Sequence, residues 1–221
     1  TVDVMAEFGV AVHREGYRRF QVAGQQTYQA GAHVVEPDGS QAGYFWAAAA
    51  ICQTEIKVKG VTKNSHQGDV RFAELLESMG CKMKTEPDGI AICGGDLRAG
   101  EFDMGDMPDM VPTLAVVAAF AVGTTVIKNV THLKSKESDR LAAVVSELGK
   151  MGVDARCSDH ELIVTGGTPH GAEIETYGDH RIAMSFAVAG LVAGGTIIRG
   201  ENCVEKSFPN FWHVFEGLYG T

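Results

Sequence analysis

An internal repeat is the feature that most constrains how this chain can fold. Three segments share one pattern: an apolar helix rich in Ala and Val, a Gly or Thr turn, and a short β-branched strand. The three strands run into Gly60, Asn129 and Gly200, which are 69 and 71 residues apart. Three units of one length indicate threefold pseudo-symmetry, and their mixture of helices and strands predicts an α/β fold.

Each of the first two repeats continues in the same way. A second helix is predicted after the strand, because apolar residues recur at intervals of three and four before Gly80 and Gly152. Pairs of short strands are predicted behind these helices, over residues 81–84 with 90–93 and 154–157 with 162–165. Each unit therefore reads helix, strand, helix, strand, strand. In the third copy the second helix, over residues 208–218, is the last predicted element.

The first 36 residues do not fit the phase of the repeats. They predict a helix and two strands, over residues 2–8, 10–13 and 19–22. The cluster Pro37-Asp38-Gly39 punctuates the chain and marks a crossing point between domains. We expect residues 1–37 to be a remnant of an N-terminal domain with its crossover, and residues 38–221 to form one domain of three repeats, about 38–107, 108–178 and 179–221. The start at Thr1, without Met and inside an amphipathic segment, indicates a fragment of a longer protein.

Composition argues against several classes of protein. The net charge of −9 speaks against a nucleic-acid-binding role, since a phosphate-binding face needs a basic excess. The five cysteines are scattered and odd in number, which disfavours a zinc site or a disulfide framework. They predict a reducing, cytoplasmic compartment with most thiols buried. The longest apolar stretch, near residues 114–122, is too short to span a bilayer, and no signal peptide is visible.

Charged residues cluster at turns that occupy equivalent places in the repeats. The clusters are Asp109 before the second apolar helix, Lys-Glu-Ser-Asp-Arg at residues 136–140, Asp-His-Arg at residues 179–181, and Lys206. Threefold symmetry brings equivalent turns to one end of the domain, where helix N-termini supply free N–H groups and partial positive charge. Acids, bases and cations on one predicted rim suit a site for a small anionic substrate.

Each cluster also has a purely structural interpretation. Taken alone, Asp109 and Asp179 are helix N-caps, an explanation favoured over catalysis by roughly two to one on ordinary cap preferences. Ser138 and Asp139 read as a cap and a first-turn acid. The remaining side chains, taken singly, would be solvated surface, local ion pairs or structural groups: Lys136, Glu137, Arg140, His180 and Arg181.

Two motifs resemble the signature segments of one enzyme family. Lys-Glu-Ser-Asp-Arg-Leu at residues 136–141 and Asp-His-Arg-Ile-Ala-Met at residues 179–184 are similar to those in the C-terminal half of 5-enolpyruvylshikimate-3-phosphate synthases. Flanking stretches agree, namely Pro108-Asp109, Gln67-Gly68-Asp69 and Cys-Val-Glu-Lys-Ser-Phe-Pro at residues 203–209. The similarity covers essentially the whole chain in order. One departure is His132, where some members carry an Asn that contacts the shikimate moiety.

The resemblance implies a fold and a reaction. The family has two domains, each an inside-out α/β barrel with threefold pseudo-symmetry, and its substrates lie in the cleft between them. The substrates are phosphoenolpyruvate and shikimate-3-phosphate, glyphosate competes at the phosphoenolpyruvate site, and the N-terminal half of the enzyme is the implied partner. The 5-hydroxyl of shikimate-3-phosphate adds to C2 of phosphoenolpyruvate while C3 takes up a proton. Phosphate and a C3 proton are then lost, and neither a cofactor nor a metal is implied.

The resemblance also implies roles for individual residues. Glu137 would give and take the proton at C3, which requires a pKa near the working pH. Asp109 would orient or deprotonate the 5-hydroxyl, and Lys206 would bind phosphoenolpyruvate and share in proton transfer. The implied substrate-binding residues are Arg140 and Arg181 as bidentate clamps on phosphoenolpyruvate, His180 beside it, and Lys136 at shikimate-3-phosphate.

Three other interpretations stay open. The UDP-N-acetylglucosamine enolpyruvyl transferase of peptidoglycan synthesis shares the fold and the chemistry. It carries Asp-Leu-Arg in place of residues 179–181, however, and lacks the Lys-Glu-Ser-Asp-Arg block. RNA 3′-phosphate cyclases share only the architecture, which does not fix chemistry. A non-catalytic binding domain of the same fold would have no need to keep Glu137, Asp109 and both Arg side chains.

Overall fold

The chain divides into two compact units. A computed structural model describes residues 1–219, so the last two residues of the predicted 38–221 domain, Gly220 and Thr221, lie outside the described residues. One unit is Thr1–Glu36 and the other begins at Pro37. Proline, aspartate and glycine interrupt regular structure at this point. The assignment of residues 1–37 to a preceding domain stays a prediction.

The first unit has little core of its own. Helix α1 (Val2–Glu7) is followed by an antiparallel hairpin of β1 (Val12–Glu15) and β2 (Arg19–Val22). Val10 is buried, whereas Phe20 on β2 is half exposed. A segment that buries so few apolar side chains gains little stability from the hydrophobic effect.

Three apolar helices form the centre of the second unit. They are α2 (Gly39–Cys52), α4 (Val111–Ala119) and α6 (His180–Gly190), and they pack against one another. Every residue of α4 is buried, and its sequence is apolar on all sides apart from Thr113. A helix of that kind must be enclosed by other elements. In these three helices, the residues that are not buried are Gln41, Phe45, Cys52 and Gly190.

Further α-helices surround this centre. They are α3 (Phe72–Ser78), α5 (Arg140–Lys150) and α7 (Phe211–Glu216). The buried residues Leu141, Val144 and Leu148 form an apolar stripe on α5 at intervals of three and four. The chain leaves α3 and α5 through Gly80 and Gly152, whose φ angles are positive, a conformation that glycine adopts without steric cost. Short 3₁₀ helices cover Gly68–Arg71, Pro108–Met110, Thr131–Ser135, Glu201–Lys206 and Gly217–Tyr219.

The strands of the second unit form three sheets outside the central helices. One antiparallel sheet contains three strands, β3 (Glu55–Lys59), β4 (Lys82–Glu86) and β5 (Gly89–Cys93), with β5 in the middle. The largest contains β6 (Glu101–Asp103), β7 (Thr124–Lys128), β8 (Asp154–Cys157) and β9 (Glu161–Thr165), in the order β6-β7-β9-β8. The third pairs β10 (Glu173–Glu175) with β11 (Ile197–Arg199).

Two of these strands connect neighbouring repeats. Strand β6 pairs in parallel with β7, placing Phe102 opposite Ile127, and β10 pairs in parallel with β11, placing Ile174 opposite Ile198. Each strand thus leaves its own repeat and joins the sheet of the next. Neither strand is predicted from the sequence, because three residues are too few to show an alternation of polar and apolar side chains. The chain runs from these strands into the N-termini of α4 and α6, so the crossing fixes where those helices begin.

The predicted repeat is confirmed, with one difference at its end. Helix, strand, helix and hairpin recur twice, and apolar helices lie inside outer sheets. The predicted helix over residues 208–218 is shorter than expected. Its α-helical part is only Phe211–Glu216, beginning two residues after Pro209. Proline disfavours helical geometry in the residue before it, which accounts for the late start.

The expectation that most thiols are buried is wrong. Of the five cysteines, Cys81 alone is buried, while Cys52 and Cys157 are exposed and Cys93 and Cys203 are intermediate. Three of them occupy the last position of a helix or strand, where the chain turns towards solvent. Within residues 1–219, no helix combines the length and apolar character needed to cross a membrane.

Candidate active site

A connected group of charged side chains lies where the central helices begin. This charged cluster consists of Asp109, Lys136, Glu137, Arg140, Asp179, Arg181 and Lys206. The 3₁₀ turn before α4 provides Asp109, the start of α5 provides Arg140, and the start of α6 provides Arg181. The structure therefore brings together six of the seven predicted site residues, and the seventh, His180, lies beside them.

Arg140 is the centre of the charged cluster. Its side chain is only 2% exposed and donates to three carboxylates. Nη1 donates to Asp109 at 2.8 Å, Nη2 to Glu137 at 2.7 Å, and Nε to Asp179 at 2.8 Å. Burial disfavours the charged form, but Asp179 and Asp109 raise the pKa of Arg140 above its ordinary value. A buried guanidinium is tolerated because its donors are matched in this way.

Asp179 combines helix capping with ion pairing. Its side chain is fully buried; Oδ1 accepts from the Arg181 backbone N–H at 2.9 Å, which caps α6. Oδ2 accepts from Arg140 and, at 3.0 Å, from the Ser138 hydroxyl. The capping interpretation is thus correct for Asp179 but incomplete. It is wrong for Asp109, which lies inside a 3₁₀ turn and makes no capping bond.

The roles of Ser138 and Asp139 differ from the predicted cap and first-turn acid. Asp139 is the N-cap of α5, because its carboxylate accepts from the backbone N–H of Ala142 at 3.1 Å. Ser138 lies one residue earlier and donates to Asp179 instead. The helix begins at Arg140, one residue later than the prediction assumed, so Asp139 takes the capping role and Ser138 lies outside the helix.

Arg181 is held from two sides. Nη1 donates to the Ser40 hydroxyl at 2.7 Å and to the Tyr44 hydroxyl at 3.1 Å, both on α2, while Nη2 reaches Asp109 at 3.3 Å. Burial opposes the charge, yet the Tyr44 and Asp109 oxygens raise the pKa of Arg181. Burial in turn raises the pKa of Tyr44 to about 12, so its hydroxyl stays protonated. The planar fork of arginine suits this two-sided arrangement.

Glu137 bridges two cations. One carboxylate oxygen accepts from Arg140 and the other from Lys206, and the Glu137 side chain is 29% exposed. The hydrogen bond from Lys206 lowers the pKa of Glu137 to about 2, with a further contribution from Arg140. In this state the side chain is a carboxylate and cannot donate a proton. The interactions of Glu137 with Lys206 and Arg140 must weaken, so that its pKa rises, before Glu137 can act as an acid.

Asp109 is the second bridging carboxylate. Besides the two arginines it lies 3.7 Å from Lys136 Nζ. Burial opposes ionisation, but Arg181 and Arg140 keep the pKa of Asp109 below its ordinary value. At the neighbouring Asp69, burial and repulsion from Asp109 outweigh the attraction of Arg181 and Arg71 and raise the pKa to about 6.

His180 lies beside the charged cluster without being paired in it. Its side chain is 5% exposed, and Nδ1 lies 3.9 Å from Asp179, too far for a hydrogen bond. Burial lowers the pKa of His180, so its ring is neutral at physiological pH. The buried Nδ1 of His180 and Nε of Arg181 have no hydrogen-bond partner, so both keep hydrogen-bonding capacity.

His132 lines an open cavity whose wall includes residues close in the chain to Asp109 and Lys136. The cavity has a volume of about 600 Å³. Its wall includes Met107, two residues before Asp109, and the polar side chains of Arg71, Asp103, Asp106, Asn129, Thr131 and His132. Such a wall offers hydrogen-bond donors and acceptors to a polar molecule of modest size.

Two contributors to the site were missed in the sequence analysis. Ser40 and Tyr44 hold Arg181, yet both were noted only as part of an apolar repeat helix. A signal for Ser40 was present, because Ser40 lies near the start of α2 as Asp109 and His180 lie near the starts of α4 and α6. Tyr44 gave no such signal, since an aromatic residue in an Ala-rich helix is ordinarily core.

The geometry limits what this site can do. Its four cations face three carboxylates, so an arriving anion has to compete with Glu137 and Asp109 for their cations. Within the described chain, no group of three His, Cys, Asp or Glu side chains is placed to hold a metal ion. Arginine and lysine donors neutralise the carboxylates instead. The arrangement therefore suits binding of phosphate or carboxylate groups next to an acid that can change its protonation state.

Comparison with known proteins agrees with this geometry. The family model for EPSP synthase (3-phosphoshikimate 1-carboxyvinyltransferase) matches residues 1–215. The 3-phosphoshikimate 1-carboxyvinyltransferase of Syntrophobacter fumaroxidans is 47% identical over 221 residues, covering 99% of this chain and 52% of that protein. The enzyme of the same name from Methanoculleus marisnigri is 43% identical over 221 residues, covering 100% of this chain and 52% of that protein.

A solved structure agrees as well. EPSP synthase from Acinetobacter baumannii superposes with a TM-score of 0.84 at 28% identity, over 96% of this chain and 52% of that one. The chain spans about half the length of the relatives it matches, which agrees with the expected C-terminal half. On the matched family model, the relatives and the shared inside-out α/β fold, this chain belongs to the EPSP synthase (3-phosphoshikimate 1-carboxyvinyltransferase) family.

Proposed function

We propose that this chain forms the C-terminal part of an enzyme that transfers the enolpyruvyl group of phosphoenolpyruvate to the 5-hydroxyl of shikimate-3-phosphate. Phosphate is the second product, and the reaction belongs to the shikimate pathway of aromatic amino acid biosynthesis. The observation that carries the proposal is the position of Glu137, a carboxylate held between Lys206 and Arg140. Family membership supports the reaction.

The cations of the charged cluster suit phosphoenolpyruvate. Its carboxylate and phosphate together need several donors, and Arg140, Arg181 and Lys206 lie around one small region. Arg140 and Arg181 present planar donor pairs that match the oxygens of either group. Lys206 is 58% exposed, more than either arginine, and its flexible stem has room to turn from Glu137 to the ligand.

Binding of phosphoenolpyruvate prepares Glu137 for proton transfer. When the anionic ligand takes over Lys206 and Arg140, the cause of the low pKa is removed and the pKa of Glu137 rises. An acid whose pKa moves towards the working pH can both give and take a proton. The resting geometry and the proposed role of Glu137 are therefore compatible.

Shikimate-3-phosphate, the acceptor of the enolpyruvyl group, binds on the side of Asp109. Because the pKa of Asp109 is low, its carboxylate is a weak base. It accepts a hydrogen bond from the 5-hydroxyl and orients that group without removing the hydroxyl proton. Lys136, 3.7 Å from Asp109, is placed to contact shikimate-3-phosphate, and the adjoining cavity at His132 has room for part of the ring. His180 supports the phosphoenolpyruvate end of the site.

The reaction then proceeds in two steps. The 5-hydroxyl oxygen bonds to C2 of phosphoenolpyruvate and passes its proton to a phosphate oxygen of that substrate, while C3 takes a proton from Glu137, so the double bond becomes single. In the second step the bond from C2 to the phosphate oxygen breaks, and the Glu137 carboxylate removes a proton from C3. The double bond re-forms, and the hydroxyl proton leaves with the phosphate. Developing charge is stabilised by the fixed arginines, which do not need to reorganise.

Two alternative functions differ from the proposed one in the acceptor substrate that is used or in whether phosphate is released. A UDP-N-acetylglucosamine enolpyruvyl transferase would use a sugar nucleotide, and a non-catalytic domain would bind without releasing phosphate. We further propose a cytoplasmic location, the N-terminal half of the enzyme as partner, and glyphosate as a competitor of phosphoenolpyruvate, because its phosphonate and carboxylate present similar charges to Arg140, Arg181 and Lys206.

The test is phosphate release by the full-length enzyme with phosphoenolpyruvate and either acceptor. Turnover with shikimate-3-phosphate and not with UDP-N-acetylglucosamine is expected, and added glyphosate should raise the KM for phosphoenolpyruvate. Turnover with the sugar nucleotide alone would establish the first alternative. Binding of phosphoenolpyruvate by titration, without turnover with either acceptor, would establish the second.

A further inference from the structure

A buried carboxylate outside the charged cluster holds the segment that leads into α6. Glu147 lies on α5 and is 0% exposed. Its Oε1 accepts from the Tyr177 hydroxyl at 2.7 Å, and its Oε2 accepts from the backbone N–H of Glu175 at 3.0 Å and from Lys150 Nζ at 2.6 Å. Two of these three donors belong to the stretch from the last residue of β10 to the start of α6. The carboxylate therefore ties α5 to the chain just before Asp179.

The segment held by Glu147 has an unusual backbone. Tyr177 and Gly178 have φ angles of +55° and +68°, and the N–H of Asp179 donates to the carbonyl of Thr176 at 2.8 Å. Two consecutive positive φ angles inside such a turn are the pattern of a type I′ turn. Glycine adopts this conformation freely, but a bulky side chain such as Tyr is strained there. A strained residue persists only where its surroundings hold it, and the bond from Tyr177 to Glu147 is such a restraint.

Helix α5 grips this segment at two places. Arg140 and Glu147 are seven residues apart, about two helical turns, and so lie on one face of α5. Arg140 binds the carboxylate of Asp179, and Glu147 binds the backbone and side chain just before it. Asp179 in turn accepts from the backbone N–H of Arg181. The separation of the two guanidinium groups therefore depends on both attachments.

We infer that Glu147 and Tyr177 are positioning residues that set the separation of Arg140 and Arg181 for phosphoenolpyruvate. The inference rests on the proposed function and names a further determinant of the same site. Both residues act through the turn and Asp179, without touching the substrate. Loss of the Tyr177 hydroxyl bond lets the strained turn relax, which moves Asp179 and misaligns the two arginines.

The test compares Tyr177→Phe and Glu147→Gln in the full-length enzyme. Each should raise the KM for phosphoenolpyruvate about tenfold, the equivalent of one lost hydrogen bond to a charged group, and leave the KM for shikimate-3-phosphate within about twofold. Tyr177→Phe removes a single oxygen atom, so the fold is retained. The matched control is Glu173→Gln, which neutralises an exposed carboxylate on the same strand, β10, that pairs with Arg199. The control should change neither constant.

A rescue experiment separates positioning from a general structural role. Glycine accepts positive φ without a restraint, so adding Tyr177→Gly to Glu147→Gln should recover part of the affinity for phosphoenolpyruvate. A double variant no better than Glu147→Gln would overturn the inference. Equal rises in both KM values, or a lowered Tm with unchanged KM values, would do the same.

A readout without substrate keeps this test separate from the proposed function. Amide hydrogen exchange over residues 176–181 should be about tenfold faster in Tyr177→Phe and Glu147→Gln than in the wild type or in Glu173→Gln. Unchanged exchange refutes positioning even if the enzyme turns over both substrates. Faster exchange in an enzyme that releases no phosphate would support positioning of the turn and refute the proposed function.

Discussion

Glu137 links the geometry of the site to its proposed chemistry at the scale of a single side chain. Glu137→Gln keeps the shape of the residue and removes its ability to carry a proton. In the full-length enzyme kcat should fall by at least ~10²-fold, the usual scale for losing a general acid–base group. The control is Glu55→Gln, which neutralises a carboxylate paired with Lys84 on an outer sheet. Steady-state phosphate release is the measurement, and an unchanged kcat would remove Glu137 from the mechanism.

Arg181 tests whether a planar donor pair is needed or only a positive charge. In Arg181→Lys the charge remains, but one ammonium cannot reach both the α2 hydroxyls and Asp109 on the opposite side. The KM for phosphoenolpyruvate should rise by about tenfold or more. This rise should exceed any rise in the KM for shikimate-3-phosphate. Arg199→Lys, at an exposed pair with Glu173, is the matched control. Equal rises for both substrates would show that Arg181 does not distinguish them.

The sequence predicted the charged side chains of the site better than their contacts. Asp109, Glu137 and Arg140 stand in motifs, and repeat equivalence was enough to place them at one end of the domain. Ser40 and Tyr44 were missed because their contribution depends on the packing of α2 against α6, about 140 residues away in the chain. The low pKa of Glu137 was also unexpected, since it depends on the position of Lys206.

At the scale of elements, the glycines that end the outer helices allow a test of backbone geometry. Gly80 has a φ of +113°, and a Cβ at this position would lie 2.4 Å from the carbonyl oxygen of Asp96. Gly80→Ala should therefore destabilise the protein by more than about 1 kcal/mol. Gly149→Ala, inside α5 with no atom within 4 Å of the added Cβ, should be neutral or stabilising by about 0.5–1 kcal/mol. Urea unfolding of the full-length variants measures both, and equal midpoints would contradict the assigned geometry.

The elements that sequence patterns predicted are those with a strong local signal. Helices with apolar residues at intervals of three and four, and strands joined by a tight hairpin, agree with the structure to within a few residues. Strands β6 and β10 were missed because each is three residues long and pairs with a strand more than 20 residues ahead. Their parallel pairing is a property of neighbouring repeats rather than of local sequence.

At the scale of the whole molecule, the charged cluster is open on one side. Glu137, Asp109 and Lys136 are each about one-third exposed, and Lys206 is more than half exposed. Ion pairs in contact with water are weak, because the high dielectric constant screens them. Strong electrostatic stabilisation of a reaction needs a site from which water is excluded. The described residues supply one wall of such a site, and the chain spans about half the length of its relatives.

We therefore expect the 221-residue chain alone to be inactive as a synthase. We expect the substrates to lie between two domains, as the family resemblance implies, so a chain with one wall cannot hold the 5-hydroxyl against C2, and the large gain from positioning is lost. Closure of the cleft, which would remove water from the charged cluster, is lost as well.

Titration of the purified chain with phosphoenolpyruvate should show weak binding, and incubation with both substrates should release no phosphate. Adding the N-terminal half in trans should restore some turnover, because the second wall and the remaining contacts to shikimate-3-phosphate return. Turnover by the chain alone at the rate of the full-length enzyme would show that the active site is complete within these residues.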